Sequence, residues 1–481
     1  MKPVSPLDAQ FLNVEDTTTT GHVGAVVLLD PSTGPTGEMT LDGLRALFEP
    51  RLHLAPPFRQ RLVDVPFGLG NPYWVDDPAF DLEFHLRELA LPSPGDDEQL
   101  GEQIARIHAR PLDRSRPLWE LYLVHGLHDD RVALYFKVHH AAIDGVTGAE
   151  LLAAVMDTTR EPRVVEPDDW SPSPLPGPEQ LIPRAFASNA MTVSRALSSM
   201  PRSLPHLIDL PGAANIPGVR QVSDAADSVM TLLGRGPRSD DTRHLFAPPT
   251  PFNGPITPHR RFSFGAVPLD ALKAIKQAYD MTVNDVVMAI VTGALRRWLL
   301  EHDALPEMPL VAAIPVSTRT DDGPSPGNQI SVMMARIPTH LRDPDERLTY
   351  LHDEIATAKE HFDTVPATIL QDFSAALPTG LSGLASRALF RMVTMPGLPF
   401  NLFVSNVPGP QLPLYVDGAT VEAVYPVSAV APMTGGLNIT LFSYNGSLNF
   451  GVVVCREMVP DVWRLAGYLE DALSELQALG G

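Results

Sequence analysis

The stretch Tyr135-Phe136-Lys137-Val138-His139-His140-Ala141-Ala142-Ile143-Asp144-Gly145 decides how this chain is read. Val132 to Val138 is short, apolar and rich in β-branched and aromatic residues, as strands are. Two histidines end the strand, a turn with an aspartate and a glycine follows, and a helix is predicted from near Thr147. Strand side chains alternate between faces, so His139 and His140 point opposite ways and only one can face a given pocket. That argues against a metal centre, which needs convergent ligands, and no His-Glu-x-x-His or paired-cysteine motif elsewhere suggests one. One imidazole at a strand end suits general-base chemistry, because an unperturbed pKa of about 6.5 leaves it neutral near neutral pH. Asp144 stands four residues beyond His140, across a turn closed by Gly145. Its carboxylate either orients the loop through an arginine or holds the imidazole. A lone histidine more often fills a core, but four specified residues in a strand–turn–helix context favour chemistry.

Outward from this stretch, residues 1–160 mix both periodicities. Leu121 to Val124 reads as a strand, and helices are predicted near Leu41–Glu49, Glu98–His108 and Gly148–Asp157. Residues 261–481 do the same. Leu269, Leu272, Ile275 and Tyr279 share a helix face, and a second helix runs from about Asp285 to Leu300. Strands are expected near Pro309–Ile314, Ile330–Ile337, Leu437–Ser443 and Leu448–Val454. The last helix buries Val462, Leu465, Leu469, Ala472 and Leu476 at three-four spacing. Strands and helices interleave without a strict βαβ rhythm, so the class is α+β. Between the two regions, residues 161–260 hold 17 of the 49 prolines. Proline cannot donate to a ladder and restricts its neighbour, so this part reads as a long crossover with short helices in it.

The 481 residues are 44% hydrophobic and 19% charged, a globular composition whose length calls for two domains. A net charge of -21 repels phosphate backbones and argues against a nucleic-acid partner. The single cysteine, Cys455, excludes an internal disulfide and fits a reducing, cytoplasmic compartment. The N-terminus does not read as a signal peptide, and the most apolar stretch, Val286 to Leu295, is far short of a membrane span.

His139-His140-x-x-x-Asp144-Gly145 resembles the HHxxxDG motif of the CoA-dependent acyltransferase superfamily, which includes chloramphenicol acetyltransferase, carnitine acyltransferases and peptide-synthetase condensation domains. Other segments choose among them. Pro111-Leu112-Asp113-Arg114-Ser115-Arg116-Pro117-Leu118-Trp119-Glu120 resembles the proline-leucine-tryptophan motif of the bacterial wax ester synthase/diacylglycerol acyltransferase family, in a mycobacteria-like form. Thr282-Val283-Asn284-Asp285 is similar to its asparagine-aspartate motif. Pro315-Val316-Ser317-Thr318-Arg319 with Gly327-Asn328-Gln329, then Ser405-Asn406-Val407-Pro408-Gly409-Pro410 and Gly436-Leu437-Asn438-Ile439, look like its later blocks. Pro57 to Arg61 and Trp74 to Pro78 fit its N-terminal part.

The resemblance implies two chloramphenicol-acetyltransferase-like lobes, α/β sandwiches at 1–160 and 261–481, joined by the 161–260 crossover, with an active-site tunnel at their interface. It implies transfer of a long-chain acyl group from acyl-CoA, a substrate rather than a cofactor, to the hydroxyl of diacylglycerol or of a long-chain alcohol. His140 would be the general base and His139 its support, with Asp144 holding the loop, Arg319 as one candidate partner, and Gly145 closing the turn. The oxyanion needs a donor. Asn284 and Asn406 are candidates, each with a structural alternative: Thr282-x-x-Asp285 resembles a capping box, and Asn406-Val-Pro-Gly a turn. Trp119 reads as packing. With no Gly-x-Ser-x-Gly elbow and Cys455 at the end of an apolar strand, direct transfer is favoured over an acyl-enzyme.

Two other readings stand beside this one. His139 and Asp144 also fit the His-x-x-x-x-Asp spacing of glycerolipid acyltransferases, with His139 as base, and a lipid-binding paralogue would keep the tunnel with little turnover. Between Leu181 and Arg220 lie Arg184, Arg195, Arg202 and Arg220 against one acid, Asp209, among apolar residues such as Phe186 and Met191. This segment reads either as a peripheral contact with the inner membrane face or a lipid droplet, or as a crossover packed on the lobes.

Overall fold

A computed structural model describes residues 1–143, 148–166, 168–203, 247–317, 330–364, 400–431 and 434–479. In chain order its strands are β1 (Lys2–Pro3), β2 (His22–Asp30), β3 (Gln60–Val63), β4 (Tyr73–Asp76), β5 (Leu86–Ala90), β6 (Trp119–His125), β7 (Val132–His139), β8 (Arg260–Pro268), β9 (Leu310–Ser317), β10 (Ile330–Ile337), β11 (Leu402–Val407), β12 (Tyr415–Val416), β13 (Ala419–Val427), β14 (Leu437–Tyr444) and β15 (Ser447–Cys455). The helices are α1 (Pro6–Val14), α2 (Leu41–Phe48), α3 (Leu82–His85), α4 (Asp97–His108), α5 (Gly148–Val155), α6 (Pro178–Ser203), α7 (Leu269–Ala278), α8 (Val283–Glu301), α9 (Pro344–Thr364) and α10 (Val462–Leu479).

Two six-stranded mixed sheets carry the fold. The first has the order β12-β13-β2-β7-β6-β5 and the second β10-β9-β11-β14-β15-β8, with a small β1-β4-β3 sheet beside the first. All eight residues of β7 are buried, because the strand lies inside its sheet, between β2 and β6. Its apolar run therefore faces protein on both sides. In the second lobe α10 buries Val462, Leu465, Leu469, Ala472 and Leu476, the spacing read from the sequence. The Val286–Leu295 stretch is the buried heart of α8. No helix among the described residues is long and apolar enough to cross a membrane.

The lobes interlock. β13 lies far along the chain, yet it pairs antiparallel with β2 of the first sheet. Gly451 on β15 comes so close beneath β13 that an added Cβ would stand 1.8 Å from the Pro426 carbonyl oxygen. Beside it the Asn449 amide donates to Val424 O at 3.2 Å. One hydrophobic cluster draws on both lobes, with Val26, Tyr135, Phe262, Val453 and Cys455 among its members.

The crossover departs from expectation in one respect. Among its described residues it contains α6, a helix of 26 residues, longer than the short helices expected. Pro178 opens it, where the missing N–H leaves no intrahelical bond unmade. Leu181 and Ala185 bury against Val65, Tyr73 and Val75 beneath the small sheet, and the Asn189 amide donates to Leu69 O at 2.7 Å. The segment before α6 is tied down as well. Arg59 donates to Asp168 at 2.6 Å and lies over the Trp170 ring.

Candidate active site

β7 delivers Tyr135, Lys137 and His139 to one side of its sheet and ends in a 3-10 turn, His140–Ile143. His139 is 1% exposed. Its Nδ1 accepts the Ala141 N–H at 3.0 Å, which places the ring proton on Nε2, and Nε2 lies 3.0 Å from Glu15 Oε1. His140, one residue on, stacks its ring on Phe11 of α1, with centroids 4.3 Å apart. The His140 N–H donates to Gly21 O at 2.8 Å. Desolvation, with the neighbouring His139 adding to it, pushes the His140 imidazole down to about 4, so the ring is neutral across the physiological range.

Behind the turn lies a buried polar cluster that fixes its own protonation states. Tyr135 donates to His108 Nδ1 at 2.7 Å, and His108 Nε2 then donates to Ser428 O at 3.1 Å. His22 Nδ1 donates to His108 O at 3.2 Å, and its Nε2 accepts the Leu112 N–H at 3.3 Å. Burial pushes His108 down to about 3 and His22 well below its ordinary value, with the Lys137 charge opposing protonation of both. Lys137 donates to Ile107 O at 3.0 Å and to Arg110 O, at the end of α4, where carbonyl dipoles favour a cation. Burial lowers it to about 8, while Glu120 and Glu15 draw it back up. Burial raises the Glu15 carboxyl, yet the His139 ring, the Gly21 amide and Arg114 together hold it well below the usual carboxylate range.

Asp144, Gly145, Arg319 and the Gly327-Asn328-Gln329 block lie outside the described residues. Asp285 is buried and caps α8: the Thr282 N–H donates to it at 2.9 Å, its own N–H donates to the Thr282 hydroxyl at 3.2 Å, and His352 of α9 stands 3.1 Å away. Asn284 is half-buried at the second position of α8, and Asn406 is half-buried on β11 opposite Leu441. Trp119 fills the first core. Its ring packs on His85, Phe48, Phe58 and Phe136, and its Nε1 donates to Phe58 O at 3.0 Å. Cys455 is buried at the end of β15, with the Thr257 N–H donating to its sulfur at 3.4 Å. Glu15, Gly21, Phe11, His22 and His108 escape sequence reading. Each is isolated in the chain from the histidine pair, and only the β2–β7 register, with His22 opposite His139, brings the first lobe's N-terminal segment to the turn.

The chain matches the profile of the wax ester synthase/diacylglycerol acyltransferase catalytic domain over residues 4–287 and that of the C-terminal domain of the same group over 326–477. It is 37% identical, over 99% of its length and 90% of the relative's, to Rv1760 of Mycobacterium tuberculosis, whose name places it among the diacylglycerol O-acyltransferases. Rv3740c of the same organism, similarly named, is 36% identical over 99% of this chain and all of that one. Among solved structures, the wax ester synthase/diacylglycerol acyltransferase from Marinobacter aquaeolei superposes with a TM-score of 0.67 at 30% identity, covering both chains completely. The first condensation domain of the calcium-dependent antibiotic synthetase shares the fold at 15% identity, with a TM-score of 0.56 over all of this chain and 96% of that one.

Proposed function

The chain belongs to the wax ester synthase/diacylglycerol acyltransferase family, and from that premise we propose that His140 drives its transfer of a fatty acyl group from acyl-CoA to the free hydroxyl of diacylglycerol or of a fatty alcohol. The observation that carries the role of His140 is its setting on the turn that follows β7, stacked on Phe11, where desolvation favours the neutral ring. The neutral ring takes the proton of the acceptor hydroxyl as its oxygen attacks the thioester carbonyl carbon. The C–S bond breaks as the tetrahedral intermediate collapses. The imidazolium, destabilised by its desolvated setting, returns the proton to the departing CoA thiolate, and an ester and free CoA result. Asn284 and Asn406 remain the proposed oxyanion donors, and Asp144 and Gly145 the loop around the base, in a tunnel between the lobes. The buried Cys455 sulfur gives no support to an acyl-enzyme.

His139 suits support better than base chemistry. Its Nδ1 is already an acceptor and its Nε2 faces a carboxylate, so no lone pair is left for a substrate hydroxyl. The test is purified protein with labelled palmitoyl-CoA and either diolein or hexadecanol. Wild type is expected to form triacylglycerol or wax ester, and His140→Ala to lose about 10²- to 10⁴-fold in kcat, the usual worth of a general base. Acyl-CoA binding without neutral lipid would favour the binding paralogue. Loss in His139→Ala with retention in His140→Ala would favour His139 as base.

A lipid surface is the proposed meeting place. On α6, Phe186 is 60% and Met191 58% exposed, and the segment from Leu181 to Ser203 has arginines but no acid. The double variant Phe186→Ser/Met191→Ser is expected to co-sediment less with anionic phospholipid vesicles than wild type does. Equal co-sedimentation would return α6 to a packing role.

A further inference from the structure

Resting on the assignment of His140 as the base, we propose that Glu15, braced by Arg114, is the positioning residue of the histidine pair: its carboxylate fixes the His139 ring, and that ring fixes the turn that aims His140. Glu15 caps the C-terminal end of α1. Its Oε1 accepts the Gly21 N–H at 2.7 Å and stands 3.0 Å from His139 Nε2. Its Oε2 accepts from Arg114 at 2.6 Å, and the same guanidinium nitrogen donates to Leu12 O at 2.6 Å. One arginine of the 111–120 segment therefore pins both the carboxylate and the last turn of α1, the helix whose Phe11 lies on His140.

From the carboxylate the constraint passes to the turn by two short routes. Through His139, it secures the Ala141 N–H on Nδ1. Through Gly21, it secures the loop whose carbonyl takes the His140 N–H. The backbone amides on both sides of the His140 Cα are thus tied to Glu15. The loop passes close to the ring, since a Cβ at Gly21 would stand 2.9 Å from His139 Nε2.

The anion is what makes this specific. A carboxylate keeps the proton on Nε2. In the other tautomer an Nδ1–H would oppose the Ala141 N–H, donor against donor, and the turn would open. A buried carboxylate performs the same service for the base of a catalytic triad. The charged and titratable groups facing Glu15 are Arg114 from the 111–120 segment, His139 and Lys137 from β7, and His22 from β2, at 3.8 Å. Among them Glu15 is held in its ionised form.

The experiment uses the full chain and the palmitoyl-CoA/diolein assay. Glu15→Gln keeps the shape and removes the charge. It is expected to lower kcat about 10- to 100-fold, a part of what the base itself contributes, with KM for palmitoyl-CoA within about twofold. Combined with His139→Gln, it is expected to add little beyond either change alone, because both remove the same constraint. Nitrogen-15 spectra of histidine-labelled protein are expected to show a protonated Nε2 on His139 in wild type and a mixture of tautomers in Glu15→Gln. Arg114→Gln, which leaves the carboxylate in place, is expected to move both readouts the same way and less far, and serves where Glu15→Gln does not fold. Glu102→Gln, an exposed partner of Arg106 on α4, is the control. Additive losses in the double variant, or an unchanged His139 tautomer, would overturn the proposal. The tautomer readout needs no turnover, so it tests the positioning role even if wild type forms no neutral lipid, an outcome that would count against the acyltransferase reading alone.

Discussion

At the scale of single residues, the site is surrounded by imidazoles that the fold keeps uncharged. His85 and His140 are held at about 4 and His108 at about 3, all chiefly by burial, and His22 is lowered as well. In the unfolded chain each would titrate near 6.5. Between pH 6.5 and 4 the unfolded chain therefore binds protons that the folded chain refuses. The stability contributed by these neutral rings is full above about 6.5 and falls as pH falls through this window. Glu15 adds to the loss at the acid end, because a carboxyl with a depressed folded pKa loses its contribution as it is protonated. Urea-unfolding midpoints are thus expected to be level from about pH 6.5 to 8 and to drop steadily from about 6.5 to 4.5. A level midpoint across the acid window would mean that these rings are solvated in the folded protein.

At the scale of elements, the helix that follows the His140 turn is anchored at the buried Arg51–Asp157 ion pair. Arg51 donates to Asp157 at 2.8 Å and to Val155 O, the last residue of α5, at 3.1 Å. Asp157 also exchanges two backbone hydrogen bonds with Tyr415 of β12, each 2.8 Å. Taking away one member of a buried pair strands the other charge at a cost of about 3–5 kcal/mol. Asp157→Asn is expected to lower unfolding free energy by about 3 kcal/mol on that basis, read by urea denaturation. A loss below about 1 kcal/mol, the range of exposed pairs, would show that the pair is solvated. The elements near this anchor were those most open to sequence reading. The strand ending in two histidines, the Leu121–Val124 strand and the helix near Gly148 are local patterns, and local periodicity is enough to specify them. The same holds for α8 and α10, whose apolar faces repeat cleanly. The partners of the histidines were hidden for the opposite reason. Glu15 and His22 carry no motif of their own, and only strand pairing across more than a hundred residues of chain brings them to His139.

At the scale of the whole molecule, the least legible feature was the exchange by which β13 enters the first sheet. β13 looks like any half-buried strand, and nothing in its letters says which sheet it joins. Gly451 records the consequence. A methyl group there would stand 1.8 Å from Pro426 O, whereas ordinary contact begins near 3.4 Å, so β13 would have to retreat. β13 is paired along its length with β2, and β2 with β7 as far as His22 opposite His139. Two ladders therefore join the seam between the lobes to the turn that carries His140. Gly451→Ala is expected to lower Tm by several degrees, as a change of one to a few kcal/mol does, and to reduce kcat at room temperature in protein that is still folded. Gly467 supplies the contrast. It lies within α10 with open space where an added methyl group would stand, so Gly467→Ala is expected to leave kcat unchanged and raise stability by about 0.5–1 kcal/mol, the gain of alanine over glycine inside a helix. If Gly451→Ala melts early but turns over normally, the seam holds the lobes together without setting the geometry of the histidine pair. If both measures fall together while Gly467→Ala keeps them, the close approach of β15 and β13 is part of what aims His140.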